Sequence, residues 1–488
     1  MVLLLLVLLA GFGIRIYDLK DPPLYFHPTR QLRTALIARA AYYQMDNTID
    51  EGLKEQAQNL ASLEVYEPPI LEYFIGFIYK MMGEEQFWVG RIVNAVFWMI
   101  GGLAVFLLGR KFFSFSAVIS ALLFYIALPF SVIASRSLQP DPWMVMWIIL
   151  SAWLIHIWSE KHSLKFAILS GIAGGMALLV KAFAAFFIVP VFICVVFTSI
   201  PIKKLLGNLQ IWLIGLLTVV PSMLYYLVLN PNRSSDFFSF WVVSLSGMVA
   251  TTEFYADWLA MLKGLMGLAM LLAAVLGALT APGKMKPVLM GLWLGYFTFG
   301  LVFPYQFTTH EYYHLALVPI VTLSLMSLIQ MVMDRLSSRH WIWRVAGVSA
   351  IVFAAGYCLY VSRSILYARD YSAEPIAWKR VGEALPVNSR FMALNSDYGM
   401  RLRYYGWRIM SGSWPTSADL NLFSLAGSDP LDYQTYFEEV TEGMDYFLVT
   451  AFNELEAQPQ LNQMLYDNYP IYSEGDGYLI FDLKDQED

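Results

Sequence analysis

The sequence predicts a polytopic α-helical membrane protein of about eleven spans, carrying a small C-terminal α/β domain outside the membrane. Three observations predict it. The chain of 488 residues is 58% hydrophobic and 14% charged with a mean hydropathy of +0.54, whereas about a quarter of a soluble chain is charged, so the bilayer is its solvent. Apolar runs of membrane-crossing length recur from residue 2 to residue 362. The charge is also uneven: residues 370–488 hold 20 acids against 7 bases, leaving 18 acids and 25 bases for the rest, within a net charge of −6.

The apolar runs place spans near residues 2–17, 87–109, 113–134, 142–158, 164–180, 182–200, 206–229, 256–280, 285–304, 313–333 and 342–362. The first, Val2 to Gly13, lacks a basic leader and a small-residue cleavage site, and it is read as a retained span. With the N-terminus inside, the inner loops collect Arg110, Lys111, Lys161, Lys165, Lys203, Lys204, Lys284, Lys286, Arg335, Arg339 and Arg344 against Glu160 and Asp334. This is the positive-inside pattern of a multi-pass plasma-membrane protein. It leaves outside the segments 18–86, 135–141, 230–255 and 305–312 and the whole tail. The expected division is a transmembrane catalytic domain, 1–362, including a structured first outer loop, 18–86, and an extracytoplasmic acidic α/β domain, 363–488.

In the tail, helical patterns at Glu374–Ala384 and Glu454–Asp467 separate strand-like runs at Phe391–Leu394, Asp445–Thr450 and Gly477–Asp482. No glycine fingerprint follows any of these strands, which excludes a Rossmann-type reading. In the first outer loop, amphipathic stretches at Thr29–Tyr43 and Ile49–Leu63 have the pattern of helices lying along the membrane interface. Cys194 and Cys358 both fall in apolar runs, so neither a disulfide framework nor a cysteine metal site is expected.

Ionisable groups concentrate in the outer segments. His27-Pro-Thr-Arg30-Gln-Leu-Arg33-Thr34 begins a helix whose face can grip a phosphate, with Arg39 further along; interfacial arginines that snorkel to lipid headgroups share this pattern. Glu67 is held stiffly before Pro68-Pro69. Asp141 stands with Arg136 at the outer mouth of a span, where a carboxylate is costly unless it meets water, a cation or a ligand. Lys181 adds a cation at an outer membrane edge, and His310-Glu311-Tyr312-Tyr313-His314 opens another span with many donors and acceptors.

In their order and common membrane side, these segments resemble the GT-C class of membrane glycosyltransferases, in particular the family 39 or mannosyltransferase-like branch that includes bacterial aminoarabinose transferases. The residues that carry the resemblance are His27-Pro-Thr-Arg-Gln, Thr34-Ala-Leu-Ile-Ala-Arg39, Glu67-Pro-Pro, Gly90-Arg91, Gln139-Pro-Asp141, Lys181 and His310-Glu-Tyr-Tyr-His314. The resemblance implies transfer of a sugar from a polyprenyl-phosphate donor to a lipid, glycan or protein acceptor outside the membrane, commonly with inversion. A carboxylate takes the acceptor proton and cations offset charge on the leaving phosphate. Relatives carry an acid in the first loop where this chain has His27 and Arg33, so the role of base passes to Asp141 and Glu67, with Asp18, Asp21 and Asp46 in reserve. Donor-phosphate contacts are expected from Arg30, Arg39, Arg136 and Lys181, and substrate contacts from His27, His310, Glu311, Tyr312 and His314. No cofactor is fixed by these residues, a divalent metal is left open, and no nucleic-acid partner is expected.

Two other readings compete. His310-Glu311-Tyr-Tyr-His314 matches the spacing of a zinc-protease motif, although no third ligand motif accompanies it. A transporter or flippase of lipid-linked or small-molecule substrates would place its charges near mid-membrane on interrupted, repeated helices.

Overall fold

The structure, a computed structural model, describes residues 1–62, 67–338 and 340–484, without the side chains of 231–234. Leu63 and Arg339, used in the reading above, lie outside the described residues. The chain folds into two compact units: Met1–Leu19, Glu64–Leu71 and Trp88–Arg369 form the first, and Lys20–Leu63, Glu72–Phe87 and Asp370–Asp488 the second. A cut at residue 362 follows the expected side of the membrane; compactness instead groups most of the first outer loop with the tail.

The first unit is a helical membrane bundle. Among the described residues, six of its helices are long and apolar enough to cross a membrane: Trp88–Gly109, Asp141–Lys161, Ala182–Ser199, Leu209–Leu229, Glu311–Ser337 and Trp341–Tyr367. Counting each of two bent pairs as one span raises the number to eight. The shorter apolar helices Val2–Arg15, Leu164–Val180, Leu268–Leu279 and Lys286–Val302 occupy the other runs expected to span, but none exceeds 17 residues. A straight crossing needs about 20.

One bend, of 60°, joins Phe115–Ala127 to Pro129–Arg136. Its cause is local. Leu128 takes an extended ψ of 125°, as a residue before proline tends to, and Pro129 has no N–H to continue the first helix. Elsewhere in the bundle Lys286–Val302 packs closely on Ala185–Ser199, because a Cβ at Gly291 would strike the Val191 backbone and one at Gly295 the Phe186 carbonyl. Small residues of this kind let helix backbones approach. The approach brings Phe299 to 5.2 Å from Phe186, ring centre to ring centre, and Phe303 to 4.7 Å from Phe183.

The second unit contains a five-stranded mixed sheet in the order β2-β1-β3-β5-β4, with β1 Phe391–Leu394, β2 Gly412–Ser413, β3 Tyr446–Val449, β4 Ile471–Gly475 and β5 Tyr478–Asp482. β1 runs parallel to β2 and β3, while β5 pairs antiparallel with β3 and β4. Successive side chains of β1 and β3 feed opposite cores: Met392, Leu394, Phe447 and Val449 on one face, Phe391, Ala393, Tyr446 and Leu448 on the other. Burial on both faces explains why these strands read as unbroken apolar runs. The helix Pro28–Met45 differs from the interfacial helix expected of it. Gln31, Leu32 and Thr34 to Tyr42 are all buried, so it is a core element of this unit.

Candidate functional site

The first unit brings Asp141 and Lys181 into an ion pair, with Lys181 Nζ 2.9 Å from Asp141 Oδ1. Both side chains are almost completely buried, at 3% and 2% exposure. Helix ends deliver them. Asp141 opens Asp141–Lys161, where the macrodipole favours an anion, and Lys181 follows the last residue of Leu164–Val180, where it favours a cation. Lys181 leaves the helical conformation at φ −160°, and its ammonium lies 5.1 Å from the ring centre of Tyr312 and 5.4 Å from those of Phe183 and Tyr313. Aromatic faces hold a cation by their quadrupole. Asp141 Oδ2 is buried without a hydrogen-bond partner among the described residues. A buried acceptor left so costs roughly 1–3 kcal/mol, which a ligand donor would relieve.

Lys181 also lines a cavity of about 430 Å³ together with Glu67. The remaining wall is mainly hydrocarbon and aromatic, from residues including Leu178, Phe183, Phe186, Met223, Phe237 and Phe303. An acid and a base at one apolar chamber suit an amphiphile with a charged head. Glu67 lies on the cavity wall, and Asp141 is joined to it through Lys181.

Arg136, the last residue of Pro129–Arg136, is buried and donates from Nη2 to the Asp18 carbonyl at 3.0 Å. Arg91 donates to the Leu19 carbonyl at 2.8 Å. Arg15 bonds Ser135 Oγ and Ser131 Oγ and the carbonyls of Gly11 and Ile126. Asn94 Nδ2 ties the carbonyls of Ser137 and Gln139. Sequence reasoning quoted Arg91 and Gln139 only as parts of motifs and gave neither a role. Both amide heteroatoms of Gln139 are buried without a partner among the described residues, two positions before Asp141. That position in the loop was the only signal available in the sequence.

Residues Glu311–His314 form a single 3₁₀ turn. Tyr312 turns its ring to Lys181, and His310 Nδ1 bonds Thr309 Oγ1 at 2.7 Å. His314 is fully buried, with Nδ1 on the Tyr296 hydroxyl at 2.7 Å and Nε2 on the Phe307 carbonyl at 3.0 Å. Both ring nitrogens are thus occupied, which leaves no lone pair for zinc. Glu311 is half-buried at the start of the turn. Among the described residues no group of three His, Cys, Asp or Glu side chains could hold a metal ion.

The other sequence-derived residues belong to the second unit. His27 caps Pro28–Met45 in a left-handed conformation, φ 47°, and Arg30 sits in that helix's first turn. Arg39 receives a protein carboxylate where the sequence reading gave it a phosphate: its Nε lies 2.8 Å from Glu85 Oε2, its Nη1 donates to the Tyr404 carbonyl, and its guanidinium lies over the Tyr404 ring. Burial is the largest single influence and opposes its charge, but Glu85, Tyr404 and Tyr43 together outweigh it and push the arginine above its ordinary value. Among the reserve acids, Asp21 accepts from the Tyr371 N–H. Asp46 accepts from the Thr48 N–H and hydroxyl, which hold its carboxyl below the usual range.

Residues 66–226 match the family described as dolichyl-phosphate-mannose-protein mannosyltransferase. No curated protein matches the chain. Among solved structures, ArnT from Cupriavidus metallidurans bound to undecaprenyl phosphate superposes with a TM-score of 0.60 at 14% identity, over 98% of this chain and 97% of that one. The archaeal oligosaccharyltransferase AglB from Archaeoglobus fulgidus, in complex with an inhibitory peptide and a dolichol-phosphate, gives a TM-score of 0.58 at 12% identity, over 99% of this chain and 74% of its own.

Proposed function

With the GT-C fold as premise, we propose that this protein is a membrane glycosyltransferase that moves a sugar from a polyprenyl-phosphate-linked donor to an extracytoplasmic acceptor, with inversion. The observation that carries the proposal is the chamber lined by Glu67 and Lys181: its hydrocarbon wall suits a prenyl chain, and Lys181 suits the phosphate. The two structural relatives whose complexes hold undecaprenyl phosphate and dolichol-phosphate support the same donor class. The multi-pass chain resides in the plasma membrane, with the acidic tail on the outer side.

The chemistry follows from the ion pair. In the resting state Lys181 neutralises Asp141. A donor phosphate competes for the ammonium, and as Lys181 turns to it the carboxylate of Asp141 loses its counter-ion and becomes a better proton acceptor. The acceptor hydroxyl attacks the anomeric carbon, its proton passes to Asp141 or Glu67, and the bond from that carbon to the phosphate oxygen breaks. The phosphate leaves with the electron pair, its charge offset by Lys181 and Arg136. His310, Glu311 and Tyr312 orient the substrates, while His314, held on the Tyr296 hydroxyl and the Phe307 carbonyl, fixes the turn that presents them. Mass spectrometry of lipids and surface glycans from cells with and without the protein tests this reading. A glycan should lose one sugar while its polyprenyl-phosphate form accumulates; unchanged profiles would refute it.

A further inference from the structure

Helix Asp141–Lys161 carries a second polar cluster at its other end, about 30 Å from Asp141 at 1.5 Å per residue. Glu160 lies 3.0 Å from Lys111 Nζ, 3.7 Å from Lys284 Nζ and 3.8 Å from His156 Nε2. Glu160, His156 and Lys284 border a cavity of about 310 Å³ whose wall also includes Ser159, Thr198 and Ser199, and Lys111 pairs with Glu160 from outside that wall. It differs in kind from the apolar chamber at Lys181.

Two features point to a ligand. The His156 side chain is only 2% exposed, yet its Nε2 has no hydrogen-bond partner among the described residues, and the residue lines the cavity. Burying such a group without a partner is unfavourable. The charges also fail to balance. Two lysines share one glutamate, so the cluster is positive before His156 binds any proton, and an anion would complete it. The start of Lys286–Val302, whose Pro287 lines the cavity, adds the positive end of a helix dipole. Lys284 is 74% exposed and free to swing.

We propose that this cavity is a second ligand site, specific for a phosphate dianion, supplied either as free phosphate or as the phosphomonoester headgroup of an anionic lipid in that leaflet. Lys284 releases Glu160 to contact the phosphate oxygens while Lys111 keeps Glu160 neutralised, His156 Nε2–H donates a second bond, and the Ser199 hydroxyl adds a third. Three donors converging from different elements suit a tetrahedral dianion better than a planar carboxylate.

Binding by the full-length protein in nanodiscs tests the site, with inorganic phosphate as probe in phosphatidylcholine discs and phosphatidic acid as probe in mixed discs. Lys284→Glu, at an exposed position, and His156→Gln should each weaken binding about tenfold or more, while Lys181→Ala, at the other end of the bundle, should retain this component. Loss of inorganic phosphate binding would identify a soluble anion as ligand, and loss confined to phosphatidic acid would identify a headgroup. Absence of binding by either probe, or equal binding by Lys284→Glu and the parent, would overturn the proposal. So would dependence on Lys181 alone.

Discussion

Two ion pairs with little exposure, one in each compact unit, have the same charges and similar lengths but differ in what surrounds them. Arg39 and Glu85 in the second unit are saturated: both Glu85 oxygens accept from Arg39 Nε, Oε1 also accepts from the Tyr404 hydroxyl, and the guanidinium takes the Tyr404 carbonyl and ring. Asp141 and Lys181 in the first unit are not, since Asp141 Oδ2 has no partner among the described residues and Lys181 lines an apolar chamber. A saturated pair has nothing to offer a ligand and holds its elements together. A pair with an open valence beside a cavity is poised to exchange partners.

The largest expected effect tests the second half of that contrast. Asp141→Asn and Glu67→Gln keep size and lose charge, and removing the true base should lower turnover by roughly 10²- to 10⁴-fold. Transfer assays with an identified donor check it, and parental turnover in both variants would move the base elsewhere. Next is the saturated pair. Arg39→Met leaves the partly buried Glu85 carboxylate without its cation, which costs about 1–3 kcal/mol. A lowered thermal midpoint with unchanged affinity for polyprenyl phosphate is the expected result, and weakened affinity with an unchanged midpoint would return Arg39 to the phosphate site.

A smaller effect sharpens the comparison within the second unit. Asp397 is buried beside Arg401, and burial raises its pKa by more than Arg401 and the neighbouring N–H groups lower it. The folded state then binds this proton more tightly than the unfolded chain. Stability from this group therefore falls as pH rises from the unfolded value, about 3.9, through the raised folded value. Thermal unfolding of the parent and Asp397→Asn across that window should show the parent losing ground with pH relative to the variant; parallel curves would remove Asp397 from the account.

The sequence made some of these features visible and concealed others for physical reasons. Phe391–Leu394 and Glu374–Ala384 were legible to the residue, because a continuous apolar run and a helical period are local signals. Gly412–Ser413 was not, since a two-residue strand has no period and exists only through its pairing with β1. Pro28–Met45 was legible as a helix, but its surroundings were not: Arg39 meets Glu85 46 positions away and Tyr404 365 positions away. The same limit applied to Asp141 and Lys181. Each was singled out as a charge at a membrane edge, while their pairing across 40 positions became visible only in the fold. Gln139 was quoted in its motif but given no role, because an amide in a loop is ordinary until its burial without partners among the described residues is seen.

The central claim is that a phosphate and Asp141 compete for Lys181, and it predicts opposite signs for the two halves of one ion pair. The direct test is equilibrium binding of a polyprenyl monophosphate to the parent, Asp141→Asn and Lys181→Met in nanodiscs, with folding checked by thermal midpoint. Lys181→Met should bind the lipid about tenfold or more weakly, the loss of one charged hydrogen bond. Asp141→Asn should bind it more tightly than the parent, because the competing carboxylate is gone. Equal weakening in both variants would mean that the pair only holds two helices together, and unchanged affinity in Lys181→Met would place the phosphate elsewhere.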